Sequence, residues 1–356
     1  HTDEQIALFD AISENDRIIV KGSAGTGKTV IGLEYAKRIA ADGKKVLFLT
    51  YNKMLAEYLR RRAGETGPDV IHFHGLLARN IEVMEDAGLN DYYENILPKR
   101  FLEHIELFKP EKYDVVIIDE GQDLLKFNFL LCVDAMLHGG LSEGKWCILL
   151  DPNQNIYNNE FDDCFEMLKD CHYTDFNLKV NCRNTKQIGS VNMALHTAYR
   201  HPNFLRVDGE SVNLCCYRDA SDLANKLRKT VKDLIKKGID LSDVVILMPC
   251  KYENSLLHGE NIFQSICSFK KATELDFVSE LPNTLRYSTV HSYKGLEAKI
   301  VILFDFDWTN KKHEMLSYIA ISRAKTLLYI FYGEEYKDPL KAFLKEADAI
   351  SNVALG

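Results

Sequence analysis

The chain has 356 residues, 46% of them hydrophobic and 27% charged, with a net charge of −8. That is enough for two domains with substantial cores. With no apolar run approaching ~18 residues there is no membrane-spanning helix to expect, and the acidic balance excludes a broad basic face coating a duplex, though not a narrow groove of backbone amides and a few lysines. The nine cysteines show no CxxC and no zinc-type Cys/His spacing, so they read as reduced thiols of a cytoplasmic protein. No signal peptide precedes the first strand-like run. The chain opens on His1 rather than Met, as a piece of a longer protein would.

In chain order, the β-branched run Arg17-Ile18-Ile19-Val20 predicts a buried strand and Val30 to Ala36 a helix. Between them Gly22-Ser23-Ala24-Gly25-Thr26-Gly27-Lys28-Thr29 fits the GxxxxGK[ST] phosphate loop. Its glycines let backbone N–H groups wrap a triphosphate, and the helix N-terminus adds partial positive charge. Lys28 would reach the β/γ-phosphates and Thr29 would hold Mg²⁺. Val46-Leu47-Phe48-Leu49 predicts a second strand, followed by a helix from Asn52 to Ala63 that Gly64 stops. A stretch at about 76–112, containing Pro98 and no phosphate chemistry, reads as a small helical insertion. Val115-Val116-Ile117-Ile118 and Cys147-Ile148-Leu149-Leu150 have the fully apolar character of central parallel strands. The first of them ends in Asp119-Glu120, which supplies a carboxylate for the metal and a general base for the attacking water.

The alternation then restarts, with strand-like runs at Val212 to Tyr217, Val244 to Met248, Tyr287 to Val290, Ile300 to Phe304 and Leu327 to Phe331. The expected fold class is therefore α/β, with two tandem parallel sheets, residues 1–178 and 179–356. The basic runs Leu59 to Arg62 and Lys226 to Lys237 read as solvated helix faces.

The stretch Asp119-Glu120-Gly121-Gln122-Asp123 resembles the DExQD motif of superfamily 1 helicases of the UvrD/Rep type. The match runs from Gln5 to Ala324 in the family's motif order, and in detail it is similar to compact bacterial ATPase modules found behind a nuclease-related (NERD) domain. The resemblance implies two RecA-like domains and the cofactors ATP and Mg²⁺. It further implies single-stranded DNA rather than RNA as partner, 3′→5′ movement, and a fused or associated nuclease or effector domain.

Residue by residue, the resemblance places Gln5 on the adenine edge, Gln154 of the stretch Asp151 to Tyr157 on the γ-phosphate, and Asp119 on Mg²⁺ through water. Arg183 of Asn181-Cys182-Arg183-Asn184 and Arg323 of Tyr318 to Ala324 become arginine fingers. In His291-Ser292-Tyr293-Lys294-Gly295-Leu296-Glu297, Gly295 and Glu297 belong to the nucleotide, Glu297 on the ribose, and His291 to the nucleic acid. Tyr51-Asn52-Lys53 and Phe73-His74-Gly75 resemble the segments that stack and cradle a single strand, which assigns Tyr51, Asn52, Phe73 and His74 to it.

Three departures bear on function. Asn158-Asn159 follow Tyr157 where the family places an aromatic that grips bases, and Cys182 stands where a tyrosine stacks the adenine. Between Asn184 and Tyr287 there is room for the second domain but not for the large accessory insertion of unwinding members. Two readings stay open: an ATP-driven helicase or translocase, and a nucleic-acid-gated ATPase switch that does not unwind. A kinase or GTPase would need an acceptor site or an Asn-Lys-x-Asp motif, and neither is visible.

Overall fold

The computed structural model describes residues 2–82, 91–155, 159–196, 203–259, 262–277, 282–342 and 345. The chain divides into two compact units, His1–Lys179 and Val180–Gly356.

In the first unit, β1 (Arg17–Gly22), β2 (Val46–Thr50), β3 (Asp69–His72), β4 (Val115–Ile118), β5 (Lys145–Leu150) and β6 (Thr174–Leu178) form one sheet in the order β3-β2-β4-β5-β1-β6. Every pairing is parallel. β2 and β4 are buried along their whole length, as apolar strands covered on both faces must be. The helix Lys28–Ala41 packs Ile31, Leu33, Tyr35 and Ala36 inward, and Gly32 lets it lie close, since a Cβ there would stand 2.5 Å from Leu149 Cδ1. Asn52 caps the helix Lys53–Ala63, and Gly64, at φ 81°, ends it. The segment expected as an insertion is mostly helical where described, running from a π-turn at Tyr92–Ile96 into a helix at Leu97–Phe108. Pro98 sits in that helix's first turn, where its missing N–H costs nothing. Tyr92, Leu97 and Phe101 join Phe73 and Phe129 in the core. Residues 83–90 of this segment lie outside the described residues.

In the second unit, β7 (Val180–Thr185) and β8 (Asn203–Arg206) form a short parallel ribbon. β9 (Asn213–Tyr217), β10 (Val244–Met248), β11 (Ser268–Lys271), β12 (Thr284–Thr289), β13 (Ala298–Leu303) and β14 (Ala324–Gly333) form a parallel sheet in the order β11-β12-β10-β13-β14-β9. The helix Ala220–Lys236 buries Leu223, Ala224, Leu227, Val231 and Leu234 against its core.

The fold is thus mixed α/β, with two six-stranded parallel sheets of RecA-like units in tandem. Among the described residues no helix is long and apolar enough to cross a membrane.

Candidate nucleotide and nucleic-acid site

The strand order of the first unit brings the carboxyl ends of β4, β5 and β1 side by side, where ligands of parallel sheets bind. Each of the three ends in a motif segment: Asp119-Glu120 after β4, Asp151 to Gln154 after β5, and the phosphate loop after β1.

The loop is held by its own side chains. Thr26 Oγ1 donates to the Ser23 carbonyl at 2.9 Å, and Lys28 Nζ donates to the carbonyls of Gly22 and Ser23 at 2.7 and 3.1 Å. Gly27 adopts the left-handed region, φ 88°, and a Cβ there would meet Gln5 Nε2 at 2.5 Å. Gln5 serves two local ends: its Oε1 accepts from the Thr2 N–H in the capping box of helix Asp3–Glu14, and its Nε2 donates to the Thr26 carbonyl at 3.2 Å. Ala24, Gly25 and Thr26 are buried, while Ser23 and Thr29 keep partial exposure.

Asp119 is 1% exposed, and its Oδ2 accepts no hydrogen bond. Burial, reinforced by the neighbouring charge of Glu120, raises its pKa, while the Thr29 hydroxyl and the Lys28 charge oppose the rise. A buried carboxylate oxygen without a donor, beside a threonine hydroxyl, is a donor set suited to a hard divalent cation. Thr29 and Asp119 therefore fit Mg²⁺.

Glu120 adopts the left-handed region at φ 53°, costly for a side chain with a Cβ and a conformation that concentrates at functional sites. Its carboxylate accepts from Gln122 Nε2 at 2.6 Å, while Gln122 Oε1 accepts from the Asp151 N–H at 3.0 Å. Gln122, fully buried, so ties the ends of β4 and β5. Gln154 is buried too, and its Nε2 donates to Asp151 Oδ2 at 2.7 Å. Burial likewise raises the pKa of Asp151, against the charge of Lys28 and the Gln154 hydrogen bond. The reading by residue type alone had no role for Gln122; its signal was its spacing of two from Glu120.

In the second unit, Asn181 Oδ1 accepts from the N–H groups of Arg183 and Asn184 at 3.0 Å each, and Asn184 Nδ2 donates to the carbonyls of Ser322 and Ala324 at 3.2 and 2.6 Å. This self-bonded turn fixes Arg183. Arg183 Nε donates to Glu297 Oε2 at 2.7 Å, and Lys325 Nζ to Glu297 Oε1 at 2.6 Å. Burial works against the Glu297 charge, but Arg183 and Lys325 outweigh it and hold the carboxyl down at about 2. Arg323, 2% exposed, donates to the carbonyls of Ile319 and Leu296 and to Ser322 Oγ. Gly295 takes φ 84° in the turn between β12 and β13. Cys182 is half-buried, its thiol directed to the Val180 carbonyl. Arg183, Glu297 and Arg323 are thus brought together through Ser322 and Leu296, and His291 lies exposed four residues before Gly295.

Of the residues assigned to a single strand, Tyr51 is 40% exposed, with its ring edge-on to His74 at 5.5 Å. Asn52 spends its Oδ1 on the N–H groups of Met54 and Leu55 as a helix cap. Phe73 does not reach the surface: it is 0% exposed, its ring 4.2 Å from that of Phe129. The helix Phe73–Leu77 begins directly at the end of β3, which turns that ring into the core. His74 touches Tyr51, Phe73, Tyr93 and Phe129, and burial pushes its pKa down to about 4. Asn158 lies outside the described residues.

A family model described as Schlafen group 3, DNA/RNA helicase domain, matches residues 15–239. The chain belongs to that family. A second model, the UvrD-like helicase C-terminal domain, matches residues 284–331, which carry the Glu297 and Arg323 motifs. Together they place the chain among superfamily 1, UvrD-like helicases. A search of curated proteins gave no match.

Proposed function

We propose that the chain is an ATP hydrolase of the superfamily 1 helicase type, stimulated by single-stranded nucleic acid and acting on DNA as a helicase or translocase. The observation that carries the reading is the convergence of Lys28, Thr29, Asp119, Glu120 and Gln154 at three adjacent strand ends of the first unit. The phosphate loop wraps the triphosphate through backbone N–H groups, and Lys28 exchanges its two loop carbonyls for phosphate oxygens. Thr29 and Asp119 would hold Mg²⁺, which when bound would supply positive charge at the phosphates. Glu120 takes the proton of the attacking water, and Gln154 senses the γ-phosphate. Arg183 and Arg323 act as arginine fingers, worth ~10³–10⁵ in rate where such a group is required. Glu297 and Gly295 serve the ribose side and Gln5 the adenine.

Tyr51 and His291 line the nucleic-acid track, with Asn52, Phe73 and His74 shaping the loops that present it; base stacking on an exposed ring such as Tyr51 is worth ~1–3 kcal/mol per base. A second reading, a gated switch that hydrolyses ATP without unwinding, is favoured by Cys182 at the adenine-stacking position and by the lack of room for an accessory insertion.

The test is ATP turnover with and without single-stranded DNA and RNA, followed by strand displacement on a tailed duplex. Turnover stimulated by DNA, and lost in Lys28→Ala, is expected. Full turnover in Lys28→Ala would refute the phosphate-loop assignment, and stimulation without displacement would select the switch.

A further inference from the structure

Lys325 lies just outside the motifs of the second unit. Lys325, the second residue of β14, is 40% exposed and bonds Glu297 Oε1 at 2.6 Å, while Arg183 bonds Oε2 at 2.7 Å. One carboxylate is thereby shared between two cations, one oxygen each. Of the guanidinium donors of Arg183, these bonds engage Nε, with Nη1 at 3.4 Å from the Ser322 carbonyl. The ion pair is the main tie holding that side chain.

We propose that Lys325 is a positioning residue for ATP hydrolysis: it keeps Glu297 paired and in place when Arg183 leaves for the phosphates. The inference rests on the ATPase reading above. Glu297 keeps only 29% of its side chain exposed. A carboxylate that far withdrawn from water holds its only cation tightly, because losing it leaves a poorly solvated charge. With Lys325 on the other oxygen, the charge stays compensated whether Arg183 is docked or not. The barrier to releasing the finger is lower for it, and Glu297 stays oriented for the ribose. Lys325 acts through Glu297 on the freedom of Arg183.

The experiment measures kcat and KM for ATP in the full chain with saturating single-stranded DNA. It uses Lys325→Ala, Lys325→Arg, Glu297→Gln and the double variant Lys325→Ala/Glu297→Gln. Lys325→Ala is expected to lower kcat by about two- to tenfold, the lower part of the range of coupling within one charge network, with a smaller change in KM. Lys325→Arg restores kcat, because a guanidinium can hold the same oxygen. The double variant turns over no more slowly than Glu297→Gln alone, since without the carboxylate Lys325 has nothing to hold. Additive losses in the double variant would overturn the proposal. So would a Lys325→Ala defect confined to KM or to the melting temperature. Where Glu297→Gln is itself inactive, the Lys325→Arg variant decides, and its failure to restore kcat overturns the assignment. Lys28→Ala and Arg183→Ala run in parallel: no turnover in the wild type defeats the ATPase reading and full turnover in both variants defeats its site assignment, outcomes separate from anything Lys325 does.

Discussion

Replacing Gln122 by Leu removes a bridge while keeping the side-chain volume nearly constant. The bonds lost include the 2.6 Å bond to Glu120 Oε2 and the 3.0 Å bond from the Asp151 N–H. Gln122 is 0% exposed, so water does not readily replace its oxygen at Asp151, and a buried N–H left without an acceptor costs about 1–3 kcal/mol. The bond to the carboxylate is charge-assisted, about 1.5–3 kcal/mol in a dry setting, but Glu120 is only half-buried and recovers most of that from solvent. The sum, about 2–4 kcal/mol, lowers the melting temperature of a unit this size by about 5–15 °C. Catalysis suffers separately. Glu120, the proposed general base, loses a partner that aims its carboxylate, and a base out of line costs at least about tenfold in kcat. Differential scanning calorimetry and steady-state ATP hydrolysis measure the two effects. A variant that melts with the wild type, or one that hydrolyses ATP at the wild-type rate, would refute the claim that Gln122 ties β4 to β5 and aims Glu120.

Two further outcomes are expected. Burial raises the pKa of Asp119 and Asp151, so without Mg²⁺ the stability they contribute is present below the ordinary carboxylate value and is lost as pH rises through the raised one. Asp119→Asn should flatten that fall between about pH 4 and about pH 7 and remove the rise in melting temperature produced by Mg²⁺; melts that keep the wild-type pH slope and Mg²⁺ response would contradict it. Tyr51→Ala should lower the ratio of single-strand-stimulated to basal hydrolysis, since about 1–3 kcal/mol of stacking is lost; an unchanged ratio would make Tyr51 a structural residue.

The central strands were legible because they are buried on both faces and so appear as unbroken apolar runs, as at Val115 to Ile118 and Val244 to Met248. β3, β6 and β11 were missed for the opposite reason. They are sheet edges, and Thr174 to Leu178 or Ser268 to Lys271 leave most of their residues in water, with no apolar run to notice. β7 was hidden because its polar residues Asn181, Arg183 and Asn184 were read as motif, although they also make its structure. In the candidate site, Lys28, Asp119 and Glu120 stand out by spacing in the sequence, and the strand order places their segments at adjacent strand ends. The burial of Phe73 could not be read that way: whether an aromatic at a strand end faces solvent or core depends on the helix that follows, and here that helix starts at once. Lys325 was invisible for a related reason. A lysine opening a strand carries no signal until Glu297 is seen beside it.

The position of β1 between β5 and β6 has a consequence for biosynthesis. Within its unit the phosphate loop follows the first strand to be synthesised, yet the strands that flank β1 are the last two. A nascent chain therefore carries the anion-gripping motif long before it owns a platform to hold it rigid. Premature capture of nucleotide by an incomplete polypeptide is disfavoured simply by the order in which the sheet is woven.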